Sequence, residues 1–291
     1  MAPQIVATRE ELREVLGDTR PGLVPSMGAL HAGHLSLISR SASENPLTVV
    51  SIFVNPPQFT SPEDLARYPR DLQGDVELAG QAGADLIFAP ETVSIYPPGF
   101  DTTVEVGNLS KRWEGASRPG HLRAVATVVT ILLNLAQPAR AYFGEKDYQQ
   151  LQVIRRMHLD LALPGEIIGC ATVRDADGLA LSSRNVRLSE EDRAHALSLP
   201  RAIAAVTAAA ARGETDVRRL EADALAAFDG TGVEVEYLAL VDDSSLEPLQ
   251  TLRHGARLLI AAQIGGIRLI DNAAVEPVEP GGGRSSDGQN Q

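Results

Sequence analysis

The sequence predicts an α/β protein: a Rossmann-like parallel sheet with helices on both faces, followed by a smaller α+β C-terminal domain. Three observations predict it. Short apolar segments alternate with helical ones through residue 173. The strand segments are continuously apolar, as parallel strands buried on both faces are. After Arg174 the order changes to helices and then a run of strands. The domains read as 1–173, 174–275 and a polar tail, 276–291.

In chain order, Gly22 to Ser26 is a short apolar strand running into Met27-Gly28. His34 to Ser43 sets Leu35, Leu37 and Ile38 at helical spacing. Leu47 to Val54, LTVVSIFV, is a β-branched run that reads as a buried strand. Asp75 to Ala82 reads as a helix, and Asp85 to Ala89 as a strand stopped by Pro90. Leu122 to Gln137 is a long apolar helix ended by Pro138, and Ala139 to Phe143 is a strand. Tyr148 to Ala162 is amphipathic through Leu151, Ile154, Leu159 and Leu161, and Glu166 to Val173 is again a strand. Asp175-Ala176-Asp177-Gly178 is turn chemistry. Ser189 opens an alanine-rich helical region to about Arg212, with Pro200 expected to bend it. Thr215-Asp216 caps a helix to about Phe228. Glu234 to Val241 alternates strictly, and Arg257 to Ile264 and Ile267 to Ile270 complete a small meander. Past Val275 almost nothing is left to bury, so the tail reads as disordered.

Composition narrows the function. The 291 residues carry 26 Lys plus Arg against 38 Asp plus Glu, a net charge of −12. That argues against a non-specific nucleic-acid binder. It leaves room for an anionic small substrate if cations gather in one cleft. One cysteine, Cys170, excludes an internal disulfide and a cysteine metal site. The most apolar stretch, Ala124 to Ala136, is too short and too polar to span a membrane. The opening MAPQIVATREELREV has no apolar signal core. The expectation is a cytoplasmic protein with no nucleic-acid and no membrane partner.

Five local patterns carry chemistry. Met27-Gly28-Ala29-Leu30-His31-Ala32-Gly33-His34 follows the first strand and opens the first helix, where free N–H groups and the helix dipole favour phosphate. The glycines at 28 and 33 read as places where nucleotide approaches closely. His31 and His34 share one face of the first turn and are suited to stabilise charge at a reacting phosphorus. A zinc pair or two unrelated surface histidines is the alternative, although zinc needs a third ligand and usually an i, i+4 spacing.

Gly144-Glu145-Lys146-Asp147 again joins a strand end to a helix start, with Lys146 a mobile charge for phosphate. Asp147 reads either as a cap or as a partner for ribose hydroxyls. Leu181-Ser182-Ser183-Arg184 reads as a phosphate clamp at a domain junction or as a plain arginine-bearing loop. Gln58 and Gln150 are neutral amides able to hold a hydroxy-carboxylate without quenching it, or ordinary surface glutamines. Arg118-Pro119-Gly120-His121 adds charge to the cleft or caps the long helix. Asp71, Asp75 and Glu77 are first-turn carboxylates that read as dipole partners or as oxygens near Mg²⁺. Neither G-x-G-x-x-G after the first strand nor G-x-x-x-x-G-K-[ST] occurs, which removes the main support for dehydrogenase and P-loop readings.

Together the blocks PSMGALHAGH, SIFVNPPQF, ARYPRDLQGD, IYPPGF, EGASRPGH, FGEKDYQQL, VRDADGLALSSRN and RLIDN resemble, in order, the pantoate–β-alanine ligase family of the HIGH-type nucleotidyltransferase superfamily. The similarity runs from about Ile5 to Val275. The resemblance implies a homodimer with a Rossmann-like domain and a smaller lid domain. It also implies ATP, pantoate and β-alanine as the small molecules bound, Mg²⁺ with the ATP, and no tightly bound organic cofactor. Pantoate would be activated as pantoyl adenylate with release of pyrophosphate, and β-alanine would then displace AMP.

By position, the resemblance makes His34, His31, Lys146 and Arg184 catalytic. ATP contacts fall on Met27 to His34, Gly144 to Asp147, Val173 and Leu181 to Arg184. Gln58 and Gln150 fall at the pantoate and β-alanine pocket, and Asp75 at the metal. Ser26, Ala32, Pro57, Leu122 and Ala124 depart from the usual residues. The same local chemistry fits two rivals: an adenylyltransferase that leaves AMP on its product, and a nucleotide sensor without catalysis.

Overall fold

Six parallel strands, in the order β1-β4-β3-β2-β5-β6, form the larger sheet of this computed structural model, which describes residues 2–59, 61–228 and 232–278. The elements run β1 (Gln4–Val6), α1 (Arg9–Leu16), β2 (Gly22–Ser26), α2 (Ala32–Glu44) and β3 (Thr48–Ile52). Next come α3 (Pro62–Arg67), α4 (Leu72–Gln81), β4 (Leu86–Phe88), α5 (Thr92–Ile95), α6 (Glu114–Ser117) and α7 (His121–Ala136). β5 (Arg140–Gly144), α8 (Tyr148–Asp160) and β6 (Glu166–Cys170) complete this part. Then follow α9 (Glu190–Ala196), α10 (Ser198–Ala211) and α11 (Val217–Ala226), and an antiparallel meander of β7 (Glu234–Asp242), β8 (Ala256–Ile264) and β9 (Ile267–Val275).

The continuous apolar strands are explained by two covered faces. Leu23, Val49, Leu86, Phe88, Ala141 and Phe143 pack with α7 and α8, whereas their neighbours Val24, Val50, Ile87 and Tyr142 pack with α2 and α4. Side chains alternate faces along a strand, so each residue meets a helix on one side or the other. A separate cluster, from Leu179 through α10 and α11 to β8 and β9, forms the second core.

Sheet order reverses at β2, which has β3 on one side and β5 on the other. The seam with β5 pairs only Gly22↔Arg140 and Leu23↔Ala141, whereas β2 pairs with β3 over its whole length. Pro25 accounts for the difference. The Gly22 N–H donates to the Leu47 carbonyl and the Ser26 carbonyl accepts from Phe53, so alternate residues of β2 face β3. Pro25 faces β5 instead and has no N–H to give. The two strands therefore part toward their carboxyl ends and leave a crevice at the switch point, where open parallel sheets bind ligands.

Several boundaries differ from the sequence reading. β1 and α1 precede the expected elements and extend the sheet to an edge strand. The alanine-rich region breaks at Leu197, and Pro200 sits in the first turn of α10. There it lacks no needed N–H, while its ring excludes the carbonyl four residues back from a continuous helix. By length and composition the stretch Glu190–Ala211 could cross a membrane. Here it is interrupted, and Ala196, Leu199, Ala202, Val206, Ala209 and Ala210 are buried in the second core. β9 continues through Val275, beyond the expected end at Ile270. Of the expected disordered tail, residues 279–291 lie outside the described residues.

Candidate active site

One cavity opens at the crevice, and His34, Lys146 and Arg184 all line it. With them lie Met27, His31, Gly33, Gly144, Asp147, Val173, Leu181, Ser182 and Ser183, together with both amides, Gln58 and Gln150. Gly28, Ala29, Leu30, Ala32 and Glu145 belong to the same loops but are not part of its wall.

The histidine loop is held by its own side chains. His31 is the N-cap of α2, and its Nδ1 accepts the Gly33 N–H at 3.1 Å. His34 Nδ1 accepts the His31 N–H at 3.4 Å. The two rings lie 4.2 Å apart. With both Nδ1 atoms accepting, the tautomer carries its proton on Nε2. Burial pushes His34 down to about 3, with His31 adding to the shift. Burial, then Lys146, lowers His31 as well. Both are therefore neutral N–H donors near pH 7. This arrangement does not suit a zinc pair, because a metal would have to displace the loop's hydrogen bonds.

The two glycines make room for neighbouring protein groups. A Cβ on Gly28 would meet Asp75 Oδ2 at 2.7 Å, at a φ of +81°. A Cβ on Gly33 would meet the His31 ring at 2.9 Å and break its cap. Ala29 also has a left-handed φ, +53°, in a loop fixed from behind by Asp75.

Asp75 is buried on α4, and its two oxygens accept the Ala29 and Leu30 N–H groups at 2.9 and 2.7 Å. It is not among the cavity-lining residues. These oxygens do not fit a metal ligand, and among the described residues no three His, Cys, Asp or Glu side chains gather to hold an ion. Asp75→Asn is expected to leave one loop amide without an acceptor, at about 1–3 kcal/mol. ATP affinity should fall, and raising magnesium should not restore it. Titrating ATP at two magnesium concentrations checks this; recovery at the higher one would return Asp75 to the metal.

Gln58 is presented by a buried relay that the sequence reading did not find. Tyr96 Oη donates to Asn55 Oδ1 at 2.7 Å, and Asn55 Nδ2 donates to Gln58 Oε1 at 2.9 Å. The Gln58 NH₂ is thereby left for the cavity. His121 Nδ1 donates to the Gln58 carbonyl at 2.9 Å, and Arg118 donates to the same oxygen at 3.2 Å. Arg118 also donates to His121 Nε2 at 3.2 Å. Burial, reinforced by Arg118, pushes His121 down to about 4. Arg118 and His121 both line the cavity, so the motif does more than cap α7. The departures sit quietly in this frame: Ser26 Oγ accepts the Gly28 N–H, and Ala124 lies under Asn55.

The cations line the same cavity as these amides. Asp147 lines the cavity and makes no capping hydrogen bond to α8. Burial raises its carboxyl, but Lys146 and Arg184 outweigh this and hold it below the ordinary value. Arg184 reaches Asp64 of α3 at 3.7 Å across the cleft. Glu114 of α6 ties this side of the cleft to the antiparallel meander, accepting from Arg268 of β9 at 3.0 and 2.5 Å and from Tyr237 of β7 at 2.7 Å. Neutral donors, two cations and paired amides in one crevice can bind a polyphosphate next to a small carboxylate.

Comparison with known proteins gives the same outline over nearly the whole chain. A family model described as pantoate-beta-alanine ligase matches residues 4–274. A pantothenate synthetase of Rhizorhabdus wittichii is 50% identical over 280 residues, covering 94% of this chain and 99% of that protein. The crystal structure of pantothenate synthetase from Thermus thermophilus superposes with a TM-score of 0.91 at 50% identity, covering 94% of this chain and 100% of that one. A pantoate-beta-alanine ligase from Francisella tularensis, complexed with beta-gamma ATP and beta-alanine, gives a TM-score of 0.77 at 34% identity, covering 94% and 98%.

Proposed function

This chain belongs to the pantoate-beta-alanine ligase family and is a ligase that forms a C–N bond, and from that premise we propose that it activates pantoate with ATP as pantoyl adenylate before joining it to β-alanine. The observation that carries the reading is the Tyr96–Asn55–Gln58 relay beside the imidazole and cation wall. A neutral amide donor holds a carboxylate without stabilising it as an arginine would, so the carboxylate keeps its nucleophilicity.

In the first step a pantoate carboxylate oxygen bonds to the α-phosphorus, and the bond to the β-phosphate oxygen breaks, releasing pyrophosphate. His34 and His31 donate from Nε2 to the phosphate oxygens as charge redistributes, while Lys146 and Arg184 neutralise the leaving pyrophosphate. These donors are set before reaction and need no proton transfer. In the second step the β-alanine amine attacks the acyl carbonyl, AMP departs with the bonding electrons, and one proton is released. A magnesium ion on the ATP phosphates counts as part of the substrate in this scheme, since Asp75 is committed to the loop.

The test gives purified protein ATP, magnesium and pantoate, with and without β-alanine. Pyrophosphate release that needs pantoate, and AMP release that needs both acids, support the reading. AMP retained on the final product would transfer the protein to the adenylyltransferases. Gln58→Ala is expected to raise the pantoate KM by about tenfold, the size of one lost hydrogen bond to a charged group. Its ATP KM should stay nearly unchanged. Unchanged pantoate dependence would remove Gln58 from the pocket.

A further inference from the structure

Both cationic arms of the cleft are fastened to two consecutive residues of β9, Asp271 and Asn272, which are buried in the C-terminal sheet. Asn272 Nδ2 donates to the Glu145 and Lys146 carbonyls, each at 2.9 Å. Its Oδ1 accepts from Arg257 at 2.6 Å, which fixes the orientation of the amide. Arg257 in turn lies over the Tyr148 ring, 3.6 Å from its centre, and 3.9 Å from the Glu145 carboxylate. The turn that carries Lys146 is thus gripped by the other domain from its backbone and from both flanking side chains.

Asp271 serves the second arm. Its carboxylate takes a two-pronged contact from Arg174, at 2.7 and 2.9 Å. Arg174 also donates to the Gly178 carbonyl and bridges to Ala180. The Leu181 N–H returns to the Val173 carbonyl, which closes the hairpin just before Ser182-Ser183-Arg184. Arg193 of α9 holds Asp175 and Asp177 at the hairpin's tip. A planar guanidinium paired with a carboxylate in this way fixes direction as well as distance.

We propose that Asp271 and Asn272 form a common mount that sets the spacing of Lys146 and Arg184, so that the C-terminal domain positions the phosphate grip although neither mount residue touches phosphate. The inference rests on the reading that ATP occupies this cleft, and it makes both residues positioning residues. Lys146 and Arg184 come from segments 38 positions apart by their numbers (184 − 146). One rigid strand can hold the two in register.

The test is a pair of double-mutant cycles read by calorimetric affinity for a non-hydrolysable ATP analogue. Asn272→Asp keeps the side chain's shape but removes both donated hydrogen bonds. It is expected to weaken the analogue about tenfold, and to cost almost nothing further in a Lys146→Ala background. Asp271→Asn should behave likewise with Arg184→Ala, and answers independently if Asn272→Asp does not fold. A general loss of packing would multiply with either background instead. Multiplying losses, or unchanged affinity in both single variants, would overturn the mount. Because analogue binding needs no pantoate, a wild-type protein without pantoate-dependent pyrophosphate release would sink the catalytic reading while these cycles still report on the mount.

Discussion

Replacing His34 with alanine is expected to lower pantoate-dependent pyrophosphate release by about 10²–10³-fold, the usual effect of removing one preorganised donor to a developing charge. The affinity for an ATP analogue should change far less. The ring is the second member of an interlocked pair: its Nδ1 takes the His31 N–H, while His31 Nδ1 takes the Gly33 N–H. That leaves His34 Nε2–H as a neutral donor in the cavity wall, held in place without any charge to lose. Because the donor is neutral, activity should not decline as pH rises from 6.5 to 8 through loss of an imidazolium. His34→Gln, whose amide offers a donor at similar reach, should recover part of the rate. Far-UV circular dichroism should match the parent for both variants, since the α2 cap is carried by His31. Near-normal turnover in His34→Ala would take the residue out of the mechanism.

The second large effect is acid lability that begins well above the carboxylate range. His34 and His121 sit at about 3 and about 4 when folded, against an ordinary value of 6.5, chiefly through burial. Above pH 6.5 neither the folded nor the unfolded chain binds these protons. As pH falls below 6.5 the unfolded chain takes them up and the folded chain does not, so stability is lost. At pH 5 each group contributes about 2 kcal/mol of loss, about 4 kcal/mol together, and the loss continues toward the folded values. Urea unfolding at pH 7.5, 6 and 5 measures it. Carboxylates with lowered folded values, such as Asp242 at about 2, act only at lower pH and leave this window to the histidines. The double variant His34→Gln/His121→Gln should flatten the slope between pH 6.5 and 5. An equally steep slope in that variant would count against the burial account.

Some of this molecule was legible because the signals are local. Pro25-Ser26-Met27-Gly28 at a strand end, the His31–Gly33 cap, and the strand-to-helix turn at Gly144–Asp147 each depend on residues only a few positions apart. The paired amides could be picked out by chemistry, and one cavity gathers them with the cations. The opening of the chain was less visible. β1 is three residues long and gains its place only by pairing with β4. The Thr8–Glu11 capping box of α1 was a readable cue that the periodicity reading passed over.

What the sequence by itself determined is the order of strands and helices, the loops that carry the donors, and the residue types that those loops bring. These follow from periodicity, capping and turn chemistry within a few residues. Only the tertiary structure decided the work of Asp75, Asn55, Tyr96, Asp271 and Asn272. Their contacts span 45 positions from Asp75 to Leu30, 41 from Tyr96 to Asn55 and 126 from Asn272 to Lys146. Their partners are in large part backbone amides and carbonyls, which every residue carries, so no side-chain pattern announces them. Only folding, which buries those groups and requires each to find a hydrogen bond, assigns the partner.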